Sequence, residues 1–284
     1  MQENQPSRTA LRVAIQRAAH QLLDEPVIFD DPLALLIIGR ENAEALQSDA
    51  PGFDTSRLSP YLRAFTAARS RFAEDELCLG VERGVGQYVI LGAGLDTFAY
   101  RNPYSAESLQ VFEVDYPATQ AWKRDRLAEA GLAPPQELVF APVDFETQTL
   151  EEGLMNAGYD PQVSTFFSWL GVTPYLTSDS VMATLQFIAS RPQGSGVVFD
   201  YAVPRSLLTE TGRKSLDRLM QLCKLAGEPW QGFFDPGQLH RELRAHGFSQ
   251  VSDLGQEEIN QRYLGERSDG LRVGSVCRLM CAQV

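Results

Sequence analysis

VILGAGLDTFAYR, residues 89–101, decides the fold of this 284-residue chain. An apolar run reads as a strand that ends abruptly in Gly92, Ala93 and Gly94, with Leu95, Asp96 and Thr97 leading on towards helix. Glycines at such a turn let the backbone pass close to a ligand with no Cβ in the way. The dinucleotide fingerprint asks for a third glycine where this chain has Thr97. The turn therefore suits a ligand that needs close backbone approach more than one that needs a pyrophosphate cradle.

Working outward, β-rich runs recur between helical stretches: QYVIL (87–91), LQVFEVD (109–115), ELVFAPVD (137–144), STFFSWL (164–170) and SGVVFDY (195–201). Strands alternating with helices imply βαβ units and a mostly parallel sheet covered on both faces. Helices are expected near Arg213–Leu225 and Pro236–His246. FSQVSDL (248–254) and LRVGSVCRLMCAQV (271–284) follow as two final strands with no clear helix between them, predicting an antiparallel hairpin at the sheet edge. Before the glycine turn, TALRVAIQRAAHQLL (9–23) puts Leu11, Ile15, Ala18, Ala19 and Leu22 on one helical face. Asp30, Asp31 and Pro32 have the form of a helix start, with Asp as cap and Pro in the first turn. A longer helix spans Tyr61–Gly80 and carries Arg63, Arg69 and Arg71. The predicted fold is α/β, Rossmann-like and doubly wound, with a seven-stranded sheet. Residues 1–86 form an N-terminal helical cover, 87–284 the ligand-binding core, and about 203–240 a helical lid insertion.

Two acids extend the reading. Asp115 ends the second strand, 21 positions after Gly94, where a carboxylate can accept from ribose hydroxyls. Glu113 shares its strand face by period-2 spacing, so one of the two serves the ligand and the other the fold. Asp144, followed by Phe145, ends the third strand, where it can accept from an adenine amino group beside an apolar wall. Ligands of open α/β sheets bind at this carboxyl edge.

Composition narrows the function classes. Lys and Arg number 25 against 37 Asp and Glu, a net charge of −12, and no basic run is present. Nucleic-acid binding, which rests on neutralising phosphates, is therefore not expected. The longest apolar run, near Leu33–Gly39, is far short of the roughly 20 residues that span a bilayer, and the polar start Met1–Thr9 lacks a signal-peptide core. A cytoplasmic protein is the expectation. Cys78, Cys223, Cys277 and Cys281 have no metal-site or redox spacing and read as buried thiols. His20, His240 and His246 are the only histidines, which argues against a histidine metal centre. All three read as surface or packing residues, so no general base stands out.

The ordered set TALRVAIQRAAH, IFDDPLA, AARSRFAED, LGAGLDTFAYR, VFEVDYPATQAWK, VDFE and FFSWLGVTPYLT resembles the leucine carboxyl methyltransferase-like family of class I S-adenosylmethionine-dependent methyltransferases, in its bacterial O-methyltransferase branch. The resemblance implies S-adenosyl-L-methionine as cofactor. It assigns Arg69, with Arg71 as the alternative, to the methionine carboxylate. Gly92, Ala93 and Gly94 would lie beside the methionine portion, Asp115 and Tyr116 at the ribose, and Asp144 and Phe145 at the adenine. Ser168 and Trp169 would form a cofactor wall, with Tyr175 on the substrate side; apart from the resemblance, Arg205 lies in the chain near the aromatic-rich segment Val203–Phe234 and is a candidate partner for a substrate anion. The acceptor would be a carboxylate or hydroxyl of a small metabolite, or a protein C-terminal carboxylate. Eukaryotic carboxyl methyltransferases commonly carry an acid before Gly-Val where this chain has Leu170, so their phosphatase substrate does not transfer directly. A nicotinamide-dependent oxidoreductase and a non-catalytic nucleoside-binding protein are the rival readings.

Overall fold

The computed structural model describes residues 7–48, 59–145 and 147–284. Met1–Pro6 of the polar start and Glu146 of the VDFE motif lie outside the described residues. Seven strands form one sheet: β1 (Gln87–Leu91), β2 (Gln110–Asp115), β3 (Leu138–Pro142), β4 (Thr165–Trp169), β5 (Gly196–Ala202), β6 (Gln250–Leu254) and β7 (Cys277–Gln283). Their order is β3-β2-β1-β4-β5-β7-β6. The first five are mutually parallel, while β7 runs antiparallel to both β5 and β6.

Alternation along the strands divides the core. Val89, Leu91, Phe112, Val114, Phe167 and Phe199 face one layer, built from α6 (Leu150–Asn156), α7 (Ser178–Ala189) and α9 (Pro236–His246). Tyr88, Ile90, Val111, Phe166 and Val198 face the other, built from α4 (Pro60–Glu82) and α10 (Gln256–Leu264). The expected hairpin needs correction. Strands β6 and β7 are antiparallel neighbours, but α10 stands between them in the chain, and β7 enters the sheet between β5 and β6. The Gln- and Glu-rich QEEINQRYL buries little beyond Ile259 and Leu264, which hides its helical period in the sequence.

A third cluster joins α1 (Arg8–Leu23), α2 (Ala34–Ile37) and α3 (Arg40–Ser48) to Leu95 and to Leu127 of α5 (Pro117–Glu129). The helix expected to open at Asp30–Pro32 begins only at Ala34 and is four residues long. Asp31 Oδ1 accepts from Leu33 N at 3.0 Å ahead of the helix, while the rest of its carboxylate is engaged by distant partners. Arg17 Nε lies 2.6 Å from Asp31 Oδ2, Thr97 Oγ1 donates to the same oxygen at 2.8 Å, and Arg101 Nε lies 3.6 Å from Oδ1. Arg17 also donates to the Leu95 carbonyl at 2.6 Å. The residue that replaces the third glycine is thus a fully buried link between the N-terminal helices and the glycine turn.

Asp31→Ala should destabilise the fold by about 3–5 kcal/mol, the usual cost of stripping one partner from a buried ion pair. Urea unfolding checks this; a loss below about 1 kcal/mol would contradict the role given to Asp31.

Candidate functional site

Strand β1 is the point where the chain reverses its direction across the sheet, with β2 and β3 on one side and β4 and β5 on the other. A crevice opens at the carboxyl ends of the strands at such a switch. Gly92 (φ +66°) and Gly94 (φ +49°) both occupy left-handed backbone here. A Cβ on Gly92 would lie 2.5 Å from Val172 Cγ2, and one on Gly94 would lie 3.1 Å from the Ala10 Cβ of α1. The turn is held from β2: Gly92 N and Ala93 N donate to the Val114 carbonyl at 2.8 and 3.1 Å.

Asp115 completes the turn. Its Oδ2 accepts from Gly94 N at 2.5 Å and its Oδ1 from Tyr116 N at 2.7 Å. Loss of solvent pushes its carboxyl above the ordinary value, against the pull of the two backbone N–H groups and of the Lys123 charge. Burial separates the two acids of β2. Glu113 is fully buried, with Lys123 Nζ at 2.6 Å from Oε2, so it is the structural member of the pair.

Arg69 and Arg71 separate as clearly. Arg71 is exposed and pairs with Asp75 one turn along α4. Arg69 is buried; its Nη1 donates to Asp200 Oδ2 at 3.0 Å, and its guanidinium lies where a Cβ on Gly171 (φ +72°) would be, 2.8 Å from Nη2. Asp200 of β5 also accepts from Gly171 N, and its carbonyl accepts from Thr173 Oγ1 at 2.6 Å. The sequence reading passed over Asp200. Its signal was present: an acid inside the apolar run VVFDYA must find a buried partner.

Other expected positions distribute unevenly. Asp144 and Phe145 follow β3 just beyond the register pair Asp115↔Pro142; Asp144 is half-buried, and Phe145 is 61% exposed. Ser168 and Trp169 are both enclosed. Ser168 bonds the buried Tyr88 hydroxyl, and Trp169 packs 6.4 Å from Phe199 in the core, as befits a strand covered on both faces. Tyr175 is half-buried, edge-on to Trp230 at 6.3 Å, with its hydroxyl 3.8 Å from Cys223 Sγ of α8 (Glu210–Leu225). Arg205 does not reach this group; it forms an exposed ion pair with Asp217.

The histidines offer no proton acceptor at the turn. His20 is fully buried, with Nδ1 2.8 Å from Asp24 Oδ2 and Nε2 accepting from Ile28 N at 3.0 Å. His246 Nδ1 donates to the Glu242 carbonyl, and His240 lines an outer groove with Arg241 and Arg244. Two of the four cysteines are buried as expected, Cys223 and Cys281, whereas Cys277 is half-buried and Cys78 lies exposed at a solvent-facing position of α4. No group of histidine, cysteine and carboxylate side chains that could hold a metal occurs among the described residues, and no described helix is long and apolar enough to cross a membrane.

The leucine carboxyl methyltransferase family profile matches residues 10–189, which hold the N-terminal helices, the glycine turn, Asp115 and Gly171. The chain belongs to that family. Among curated proteins, this methyltransferase is 34% identical to Bacillus subtilis "Putative S-adenosyl-L-methionine-dependent methyltransferase YktD" over 95% of both chains. It is 30% identical to a protein of Mycolicibacterium smegmatis given the same functional name, over 94% of this chain and 92% of that one. Among solved structures, a DUF574 family protein of Streptomyces avermitilis superposes with a TM-score of 0.58 at 15% identity, over 87% of this chain and 94% of that one. A Thermobifida fusca structure titled as a methyltransferase gives 0.55 at 15% identity, over 99% and 96%. These two likenesses carry the fold, and with it the seven-stranded Rossmann-like reading. The oxidoreductase and pure binding-protein readings find no support.

Asp115→Ala should weaken S-adenosylhomocysteine binding by about 1–3 kcal/mol, the cost of leaving hydrogen-bonding groups unpaired. Protonation removes acceptor capacity, and the carboxyl of Asp115 titrates above the ordinary carboxylate value. Affinity should therefore fall as pH drops through that raised value, and the fall should be absent in Asp115→Asn. Calorimetric titrations across pH check both; unchanged affinity in Asp115→Ala would remove Asp115 from the site.

Proposed function

We propose that this methyltransferase transfers a methyl group to a carboxylate oxygen of a small organic acid, with S-adenosylmethionine held at the β1 switch point. The cradle fits that cofactor on its own geometry. Gly92 and Gly94 hold the left-handed turn that carries the backbone along the strand ends, Asp115 stands at the strand end as an acceptor for ribose hydroxyls, and Arg69 supplies a guanidinium suited to the amino-acid carboxylate. Asp144 and the exposed Phe145 ring, just beyond the end of β3, are assigned to the adenine. Ala93 and Tyr116 contribute backbone at the same edge. Ser168 and Trp169 support the strand from within. When bound, S-adenosylmethionine supplies a methyl carbon already activated by a sulfonium.

What favours a carboxylate acceptor is the protonation of the lid side. Burial pushes the Tyr175 phenol well above its ordinary value, with the neighbouring Cys223 adding to the effect. Burial likewise pushes the Cys223 thiol up. Both groups therefore stay protonated at neutral pH and cannot take a proton from an acceptor. An alcohol needs such a base, whereas a carboxylate is already ionised and needs only alignment. Tyr175 then serves as a hydrogen-bond donor and apolar wall. Arg205, held by Asp217 at the surface, has no part in it.

Incubation with methyl-labelled S-adenosylmethionine and separate sets of small carboxylic acids, phenols and peptides tests the proposal. The expected product carries label that alkali releases as methanol, the behaviour of a methyl ester. Label that survives alkali would identify an ether and overturn the carboxylate assignment; ester formation on peptide C-termini alone would overturn the small-acid assignment.

A further inference from the structure

The first two turns of α1 lie across the crevice and are fastened on both sides of it. On the cofactor side, Ser7 N donates to Thr119 Oγ1 of α5 at 3.2 Å, four residues after Asp115, and Ala10 rests over Gly94. On the lid side, one carboxylate gathers three successive residues. Glu228 Oε1 accepts from Arg8 N at 3.2 Å, Ser7 Oγ lies 3.4 and 3.5 Å from its two oxygens, and Thr9 Oγ1 donates to Oε2. A turn further on, Arg12 Nη1 donates to the Leu222 carbonyl in the last turn of α8.

The two sides differ in how firmly they are built. The Glu228 loop is tied down by its own backbone: Glu228 N donates to the Cys223 carbonyl at 3.0 Å, and Gln231 N and Gly232 N both donate to the Pro174 carbonyl. The second half of α1 is equally fixed, because Gln16–His20 are buried and Arg17 and His20 are held by Asp31 and Asp24. Between these anchors, Ser7–Val13 are half-buried or exposed; Leu11 packs at the edge of the N-terminal apolar cluster, and the polar contacts just named hold the rest. A carboxylate at a helix N-terminus is favoured by the exposed N–H groups and by the helix dipole, so the contact is strong yet separable without opening the core.

We propose that Glu228 is a latch and that the first two turns of α1 are the strap it closes, so that release of Glu228 gates exchange of cofactor and product at the β1 crevice. The inference rests on the cofactor reading above, since a strap over Gly94 and Thr119 gates only what binds there. Closing the strap also excludes water from the crevice, where an ionised acceptor gains from its absence. The latch contacts neither Arg69 nor Asp115, so it acts on rates of entry and exit more than on the strength of the closed complex.

The test compares S-adenosylhomocysteine association and dissociation rates, by surface plasmon resonance, for the unaltered chain and for Glu228→Gln and Glu228→Ala. Hydrogen exchange of the Arg8–Arg12 amides is read in parallel. Both rate constants should rise together by about tenfold in Glu228→Ala, the effect of removing roughly one charge-assisted bond from the opening barrier, with a smaller rise in Glu228→Gln. The α1 amides should lose protection in the same order. Equal rates in all three proteins would overturn the latch while leaving the cofactor reading intact. Absence of binding to the unaltered chain would overturn the cofactor reading and the gate together. Loss of α1 protection with no change in rates would reduce Glu228 to a helix cap and also overturn the gate.

Discussion

A buried charge must be matched, and the match between Arg69 and Asp200 fixes the geometry on which the site depends. Asp200 sits in the middle of a strand covered on both faces, where an unpaired carboxylate would be too costly to keep. Arg69 answers it from α4, and Gly171 N answers it from the loop after β4. One side chain thus sets the height of α4 over the sheet and the path of the chain as it leaves β4. That path places Val172 against Gly92, and so defines one wall of the crevice. A buried pair of this kind adds little to stability compared with an apolar replacement, and its value here lies in the single arrangement it allows.

The acidic character of the chain takes on local meaning in this light. Asp31 binds the N-terminal helices to the glycine turn through Arg17 and Thr97, Asp24 holds His20 and accepts Arg63 through two oxygens, and Asp200 positions Arg69. Each is a buried acid that fixes a cation or a donor near the carboxyl edge of the sheet. Asp115 differs from these three in that its partners at the turn are backbone N–H groups, one to each oxygen, which leaves further acceptor capacity on both.

Much of this was legible in the sequence, for physical reasons that differ from element to element. Strand β1 was readable to the residue because an apolar run ended in glycines that only a tight turn requires. The helix read over Tyr61–Gly80 was legible because its run is long, and it extends only one residue before and two beyond those bounds, Pro60–Glu82. Helix α10 was missed because it buries two apolar residues in nine, too few to set a helical period. The start at Asp30–Pro32 misled because a capping acid and a carboxylate that pairs with a distant arginine look alike in one dimension. The Glu228 contacts were missed because their partners lie about 220 positions away and nothing local announces them, whereas Asp200, whose partner lies 131 positions away, left a local trace only as an acid inside an apolar run. Arg205 was chosen for proximity in the chain, whereas its carboxylate partner twelve residues on settles it at the surface.

On the proposed reading, the crevice at the end of β1 receives the adenosyl cofactor between Asp115 and Arg69. The most direct measurement is a crystal structure of the protein with S-adenosylhomocysteine. The account predicts ribose hydroxyls within hydrogen-bonding distance of Asp115 and the amino-acid carboxylate against Arg69, with Gly92–Gly94 alongside. A cofactor bound elsewhere on the molecule, or bound here with Asp115 and Arg69 turned away from it, would contradict the account.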